Sequence, residues 1–323
     1  MNVRELGATD LAVSSFGMGC NKLGSVSARQ SHRSAIRLVH AAVDSGIRLF
    51  DTADAYGAGS SETILGEALA ADSDVVVATK IGYRFEERSR PMQLARSLLS
   101  RAQSVAPGRS ASVASYATQD FSAEYVNEAV RASLRRLRRE HIDVLQFHGP
   151  PPTSMTDLPE VVTELMNAGL IRYFGVGCET VESAASWSTV AGVAVVQLPF
   201  GILDPVAAQE LIPGLRNSGI GVLARGVLGG GILARVMRGQ NPELDPLRMR
   251  RVERLRSLAS ANDVDLAQVA VWYAQYRTEV DSILIGISNA GQLAAAARFG
   301  DQPAPDADLL AAIRAIVDDV AVS

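Results

Sequence analysis

Long apolar segments are missing from this chain of 323 residues. No stretch approaches the roughly 20 uninterrupted apolar residues that a membrane-spanning helix needs. The N-terminal residues MNVRELGATD contain no apolar core of the kind found in signal peptides. Apolar residues nevertheless make up 47% of the chain and charged residues 20%, a balance typical of a protein that buries a core. We therefore expect a cytoplasmic protein with no membrane partner.

Cysteine and lysine are both scarce. Cys20 and Cys178 are the only cysteines and lack the spacing of a metal site, so we expect two free, buried thiols, no disulfide and no bound metal. Lys22 and Lys80 are the only lysines, because nearly every cation is an arginine. Lys80 is therefore of interest wherever a compact ammonium group is needed. The net charge of −4, with both signs interspersed, gives no field that would attract nucleic acid.

Strand-like and helix-like segments alternate along the chain. Eight short apolar segments, each followed by a helical pattern, predict the α/β class and a closed parallel (β/α)8 barrel of the TIM type. No Gly-x-Gly-x-x-Gly follows a strand, so a Rossmann nucleotide site is not expected. An N-terminal β-hairpin (3–7 and 11–15) and an extra C-terminal helix (about 306–318) complete a single domain, 1–323. The predicted barrel strands are 16–20, 47–52, 75–80, 142–148, 171–177, 193–200, 220–225 and 282–287.

Two connections exceed the usual length of about two to six residues. Residues 81–121 follow the third barrel strand, and residues 226–263 follow the seventh. In this architecture both lie at the C-terminal end of the strands, where active sites are found. We expect both connections to shape a pocket, with the helix-like piece 91–103 acting as a lid.

Several polar side chains stand where apolar strands end. The segment FDTADAYG (50–57) ends a strand with Asp51, Asp54 and Tyr56, while Lys80 ends the third strand and His148 the fourth. Because the C-terminal ends of parallel strands meet at one mouth, we expect these side chains, apart from Asp54, to converge there. Asp54 is interpreted as a turn-forming residue.

The order of these motifs resembles that of the aldo-keto reductases. The shared segments are the opening hairpin, DTADAYG, ATK, DVLQFH, the glutamine of VVQLPF, and GIGVLAR followed by LGGGIL. The stretch DFSAEYVNEAVRASLRRL is most similar to bacterial aldose and sugar dehydrogenase-like members. The resemblance implies a nicotinamide-dependent oxidoreductase of the alcohol dehydrogenase type, acting on a sugar, a sugar-like molecule or another small carbonyl compound.

The resemblance assigns the catalytic roles to the four convergent residues. Tyr56 would be the general acid in carbonyl reduction and the general base in alcohol oxidation. Since a neighbouring ammonium lowers the pKa of a phenol, Lys80 would activate Tyr56, and Asp51 would keep Lys80 charged and oriented. His148 would donate a hydrogen bond to the carbonyl oxygen, which favours C=O over C=C chemistry.

The resemblance also implies a cofactor site. Gln197 would hold the nicotinamide carboxamide, and Arg225 would stack on the ring where many relatives have a tyrosine. Gly177-Cys178 stands where relatives commonly have Ser-Asn, and the basic residues that clamp a 2′-phosphate are missing after the eighth strand. The expected cofactor is therefore NADPH or NADH. The implied cofactor contacts are Gly19, Cys20, Asp51, Cys178, Gln197, Arg225, Gly226, Leu228, Gly229, Ser288 and Gln292.

Three alternatives fit parts of the same pattern. The departures at the cofactor site would suit a similar barrel that binds cofactor in a regulatory role. Reduction of an enone C=C bond would use the same scaffold. Lys80 could also serve as the nucleophile of a Schiff-base lyase. In each enzymatic case the expected partner is a small-molecule substrate.

Overall fold

The computed structural model describes residues 1–23, 30–69, 74–84, 118–151, 153, 158–205, 211–240, 242–277 and 280–319. The strands are β1 Val3–Glu5, β2 Ala12–Ser14, β3 Phe16–Gly19, β4 Leu49–Asp51, β5 Val76–Ile81, β6 Ile142–His148, β7 Ile171–Gly177, β8 Val193–Pro199, β9 Gly221–Arg225 and β10 Ser282–Gly286. The helices are α1 His32–Asp44, α2 Ser60–Leu69, α3 Ala123–Leu137, α4 Leu158–Asn167, α5 Val181–Ser188, α6 Ile212–Asn217, α7 Ile232–Met237, α8 Pro246–Ala261, α9 Leu266–Arg277, α10 Ala290–Asp301 and α11 Ala307–Val317.

Eight parallel strands, β3 to β10, close into a barrel in which β10 pairs with both β9 and β3. Strands β1 and β2 form a separate antiparallel hairpin. The predicted (β/α)8 architecture, the N-terminal hairpin and the extra C-terminal helix, α11, are confirmed. The single-domain assignment stays a prediction.

The inward-facing side chains of the barrel change from apolar to polar along the strands. Seven barrel residues form an apolar layer near the N-terminal ends: Leu49, Val76, Ala78, Val144, Val195, Leu223 and Leu284. Since side chains alternate with a period of two, the next inward residue lies two positions further along each strand. On four of the strands that next residue is polar and at most 5% exposed, namely Asp51, Lys80, Gln146 and Gln197. The C-terminal half of the barrel interior is therefore polar.

The N-terminal hairpin closes the N-terminal end of the barrel, opposite its polar half. Leu6, Leu11 and Val13 pack into the same apolar layer. The turn comes so close to β9 that a Cβ on Gly7, whose φ is +59°, would lie 2.3 Å from the backbone nitrogen of Gly221. Only glycine fits this approach without strain. The mouth of the barrel is therefore at its C-terminal end.

The two long connections differ in what the structure describes. Residues 226–263 contain a 3₁₀ turn, Gly229–Gly231, followed by α7 and α8. Most of residues 81–121, including the proposed lid 91–103, lie outside the described residues. Within the described ranges, no helix combines the length and apolar character needed to cross a bilayer.

Candidate active site

Strand register brings most of the predicted site residues to the barrel mouth. Gly19 of β3 pairs with Asp51 of β4. His148 of β6 pairs with Gly177 of β7, which in turn pairs with Gln197 of β8. Because paired residues of parallel strands lie at similar heights, these positions form a ring at the C-terminal end of the barrel. The predicted convergence follows from this register.

A buried ion pair joins β4 to β5 inside that ring. Lys80 Nζ lies 2.5 Å from Asp51 Oδ1 and also donates to the backbone oxygen of Thr52 at 3.2 Å. Burial alone would lower the pKa of Lys80, but the charges of Asp51 and Tyr56 and the hydrogen bond to Asp51 outweigh burial and raise it. Lys80 is therefore an ammonium ion. Schiff-base chemistry needs a neutral amine, so this geometry does not favour the lyase alternative.

Two amides donate to the same carboxylate oxygen that binds Lys80. Gln197 Nε2 lies 2.8 Å from Asp51 Oδ1, and Gln146 Nε2 lies 3.2 Å from it. Sequence reasoning gave Gln146 no role. The strand period of two could have identified Gln146, because it places this residue on the same inward face as His148, two residues later.

Tyr56 lies between the ammonium and the histidine. Lys80 Nζ is 5.4 Å from the centroid of the Tyr56 ring, and the His148 ring meets that ring edge-on with centroids 5.7 Å apart. Burial raises the pKa of Tyr56, the positive charge of Lys80 lowers it, and the negative charge of Asp51 raises it again. The net direction is upward. Lys80 lowers the pKa of Tyr56 as expected, through its charge and a hydrogen bond, but burial is the larger effect.

His148 is held as a neutral imidazole. Burial, assisted by the positive charges of Lys80 and Arg225, lowers the pKa of His148 to about 3. The ring of Tyr83 meets it edge-on from a second side, with centroids 5.0 Å apart. The Nδ1 atom of His148 is buried and has no hydrogen-bond partner within the described part of the chain.

Arg225 is fixed at the end of β9. Its Nη2 donates to the backbone oxygen of Cys178 and to Glu179 Oε2, both at 2.9 Å. These two bonds tie the guanidinium to the segment that follows β7. The planar group is thus held at the mouth by the neighbouring strand ends.

A glycine-rich turn follows Arg225. Gly226, Gly229, Gly230 and Gly231 all have positive φ, between +60° and +98°. A Cβ at Gly226, Gly230 or Gly231 would meet no atom of the described residues within 4 Å, so this backbone is open on the side that those residues define. Leu228 packs partly against the core. Exposed backbone without side chains allows an anion such as a pyrophosphate to approach closely.

The two cysteines are part of the core. Cys20 and Cys178 are fully buried, and burial raises the pKa of both thiols, to about 11 for Cys178. The prediction of free, buried thiols is confirmed. Neither side chain is exposed at the mouth, so this geometry does not favour the direct cofactor contacts expected of them. A Cβ at the neighbouring Gly177 would lie 3.3 Å from Lys80 Cε, so a serine there would press on the lysine stem.

The residues after β10 are neutral and bonded to one another. The Ser288 backbone N–H and hydroxyl both donate to Gln292 Oε1, at 2.7 and 3.1 Å. Asn289 caps helix α10 by accepting from the Gln292 backbone N–H at 3.0 Å. Ser288 and Gln292 therefore lie together at the mouth, and neither carries a charge.

Asp54 is more than a turn residue. It lies in the turn after β4, as expected, but it is 1% exposed. Its Oδ2 accepts from the Tyr125 hydroxyl at 3.3 Å, while Oδ1 is buried without a partner among the described residues. Burial, with the negative charge of Glu62, raises the pKa of Asp54 well above its usual value. Its burial is a finding that the sequence did not predict.

Known proteins share both this sequence pattern and this architecture. A sequence model of the aldo/keto reductase family matches residues 15–318. The chain belongs to the aldo/keto reductase family. It is 30% identical to the pyridoxal 4-dehydrogenase of Microbacterium luteolum over 94% of either chain. It is also 30% identical to the NADH-specific methylglyoxal reductase of Escherichia coli, over 71% of this chain and 68% of the relative.

Solved structures give the same result. The chain aligns with an aldo-keto reductase of Bacillus halodurans, determined in its holo form, with a TM-score of 0.77 and 26% identity. The alignment covers 98% of this chain and 96% of the other. The protein is therefore an oxidoreductase of the NAD(P)-dependent aldo-keto reductase type.

The residues present fit a nicotinamide dinucleotide at two places. The polar ring around Asp51 contains a buried atom, His148 Nδ1, that has no hydrogen-bond partner among the described residues, and the His148 ring meets that of Tyr56 edge-on. The open glycine turn after β9 suits a pyrophosphate. These features lie on neighbouring strand ends of one mouth, as one extended ligand requires.

Proposed function

We propose that the protein interconverts a carbonyl and an alcohol on a small molecule, with Tyr56 as the residue that gives or takes the proton. The main support is the cluster at the mouth, in which a half-buried, protonated Tyr56 lies between the buried, charged Lys80 and the half-buried, neutral His148. A phenol that is protonated at neutral pH is suited to act as the general acid in carbonyl reduction.

The four side chains would share the work of one proton transfer. A bound nicotinamide would supply a hydride to the carbonyl carbon, or accept one in the reverse direction. Tyr56 would give its hydroxyl proton to the carbonyl oxygen as negative charge develops there. The charge of Lys80 would stabilise the resulting phenolate, and Asp51 would hold that ammonium in place. His148 would donate a hydrogen bond to the same oxygen from its uncharged ring.

The remaining mouth residues would bind the cofactor. Gln197 uses its Nε2 for Asp51, which leaves its Oε1 to accept from a carboxamide. Arg225, tethered at both Cys178 and Glu179, presents a planar cation that can stack on the ring. The backbone at Gly226 would let the pyrophosphate approach, whereas a Cβ at Gly229 would lie 2.5 Å from Leu203 Cδ1, so the lack of a side chain there makes room for Leu203.

We propose NADH rather than NADPH as the preferred cofactor. A 2′-phosphate is bound through charge-assisted hydrogen bonds, mostly from arginine or lysine. Ser288 and Asn289, which precede α10, and Gln292 in its first turn are neutral and already bonded to one another. The relative from E. coli is named as NADH-specific, which agrees with this proposal.

For the substrate we propose a small aldehyde, ketone, sugar or sugar-like alcohol. The relatives reported above are named for pyridoxal and methylglyoxal, which are both small carbonyl compounds. Neutral His148 supports polarisation of a C=O bond over enone reduction, because it can place a hydrogen-bond donor at the carbonyl oxygen.

The proton-transfer role is tested by a matched pair of variants. Tyr56→Phe and Tyr83→Phe each remove one hydroxyl from a ring that meets His148 edge-on. We expect Tyr56→Phe to lower the rate of carbonyl reduction by about 10²- to 10⁴-fold, the usual size of a general-acid contribution. Tyr83→Phe should keep most of the activity. Equal turnover in the Tyr56→Phe and wild-type proteins would refute the proposal.

Cofactor preference is tested by calorimetric titration of the protein with NADH and NADPH separately. We expect tighter binding of NADH. Tighter binding of NADPH would refute the preference and would indicate a cation beyond the neutral cluster of Ser288, Asn289 and Gln292. Because calorimetry needs no substrate, its result is independent of the role of Tyr56.

A further inference from the structure

Gln146 is a fully buried amide at the centre of the polar ring. It lies on the inward face of β6, beside Lys80 in the pairing of β5 with β6. Its Nε2 donates to Asp51 Oδ1 at 3.2 Å. Its Oε1 is buried and has no hydrogen-bond partner within the described ranges. The interaction with Asp51 is thus the polar contact that distinguishes this side chain from an apolar one of the same size.

Packing alone does not account for an amide at this position. A buried polar atom without a partner costs stability, whereas a methionine of similar length would fill the same space without that cost. The contribution of Gln146 must therefore come from its N–H group. That N–H group donates to the carboxylate of Asp51, which holds the buried ammonium of Lys80.

Three donors converge on one oxygen of Asp51. Lys80, Gln197 and Gln146, which come from β5, β8 and β6, lie 2.5, 2.8 and 3.2 Å from Oδ1. A carboxylate oxygen has about two lone-pair positions, so these donors share its negative charge. Each amide dipole compensates part of the charge that would otherwise act on Lys80 and on Tyr56.

We propose that Gln146 is a positioning residue that orients the carboxylate of Asp51. Through this contact Gln146 sets how strongly Asp51 holds the Lys80 ammonium and how strongly Asp51 opposes ionisation of Tyr56. This inference rests on the proposed function, since it matters for turnover only if Tyr56 exchanges a proton with substrate. Without the Gln146 N–H, Asp51 would present more negative charge near the phenol. Ionisation of Tyr56 would then become less favourable.

The two lysines of the chain allow a direct test. Lys80 is buried and Lys22 is exposed, so protein labelled with ¹⁵N in its lysine side chains should give two Nζ signals from contrasting environments. In Gln146→Met we expect the Lys80 signal to move, because its carboxylate partner has lost a donor, and the Lys22 signal to stay. Gln268, another buried amide, lies in α9, and Gln268→Met should move neither signal.

The second readout is the pH profile of alcohol oxidation, in which Tyr56 must be ionised to accept a proton. In Gln146→Met the limb of the profile that reports this ionisation should move to higher pH. At pH values below that limb, the oxidation rate should fall about three- to tenfold. This fall corresponds to a rise of up to about one unit in the apparent pKa of Tyr56. The KM for the alcohol should change by less than about twofold, because Gln146 does not contact substrate.

Gln146→Glu keeps the size of the side chain and adds a carboxyl group beside Asp51. We expect the pH limb to move in the same direction and further, so this variant also serves if the methionine variant folds poorly. An unchanged Lys80 signal and pH profile in both variants would overturn the inference, as would equal changes in Gln268→Met. If Tyr56→Phe loses turnover while the Gln146 variants behave as wild type, this inference fails alone. If Tyr56→Phe keeps turnover, the proposed function fails with it.

Discussion

The buried ion pair between Asp51 and Lys80 should make each partner costly to remove alone and cheaper to remove together. Lys80 is 1% exposed and Asp51 5%, and their charged atoms lie 2.5 Å apart. At an effective dielectric constant of about 20, two unit charges at this separation attract by about 7 kcal/mol. Desolvation of both groups offsets much of that attraction. Removing one partner leaves an uncompensated buried charge, which destabilises a protein by about 3–5 kcal/mol.

A double-mutant cycle measures this coupling. Asp51→Asn keeps an oxygen that can accept from Gln197, so its effect reports mainly on charge. Lys80→Met keeps the apolar stem that packs beside Gly177. We expect each single variant to lose about 3–5 kcal/mol of unfolding free energy at neutral pH, and the double variant to lose less than the sum by about 3 kcal/mol.

Urea denaturation followed by far-ultraviolet circular dichroism gives the four free energies. The exposed pair of Arg254 and Asp319, whose atoms lie 2.6 Å apart, provides the control and should show far weaker coupling. Strictly additive effects of Asp51→Asn and Lys80→Met would refute the reasoning. The two groups would then not act as a charged pair in the folded protein, and Lys80 could not supply the charge that the proposed mechanism assigns to it.

Three further predictions concern titration and backbone fit. Burial is the chief cause of the raised pKa of Asp54, so its stabilising contribution is complete below about pH 4 and is lost as pH rises through the folded-state pKa. In urea denaturation, Asp54→Asn should therefore gain stability relative to wild type between pH 5 and pH 8. An equal stability difference at pH 5 and at pH 8 would contradict this. Since the pKa of His148 is about 3, His148→Gln should lower kcat by the same factor at about pH 6 and pH 8, whereas a factor that changes around pH 6.5 would show a charged imidazole. Gly7→Ala should displace the hairpin from β9 and lower the urea midpoint much more than Gly169→Ala. Gly169 has a similar φ of +68°, but no atom of the described residues lies within 4 Å of the added Cβ. Equal losses would mean that the close approach at Gly7 does not matter.

The sequence by itself determined the barrel and the membership of its mouth. Strand and helix periodicities are local properties, so eight apolar segments followed by helical patterns were enough to predict the closed parallel sheet. The parallel topology then required the strand ends to meet. For this reason Asp51, Tyr56, Lys80 and His148 could be expected at one mouth before any distance was known.

Only the tertiary structure decided how these groups influence one another. The net direction of the Tyr56 pKa depends on a balance between burial and two opposite charges, which no local pattern contains. The bond from Gln146 to Asp51 joins residues 95 positions apart in the chain and needs the register of separate strands. Burial of Asp54 depends on helix α3, which carries Tyr125 over the turn. Sequence periodicity fixes which face a side chain occupies, whereas its protonation state depends on distances to groups that the fold brings together.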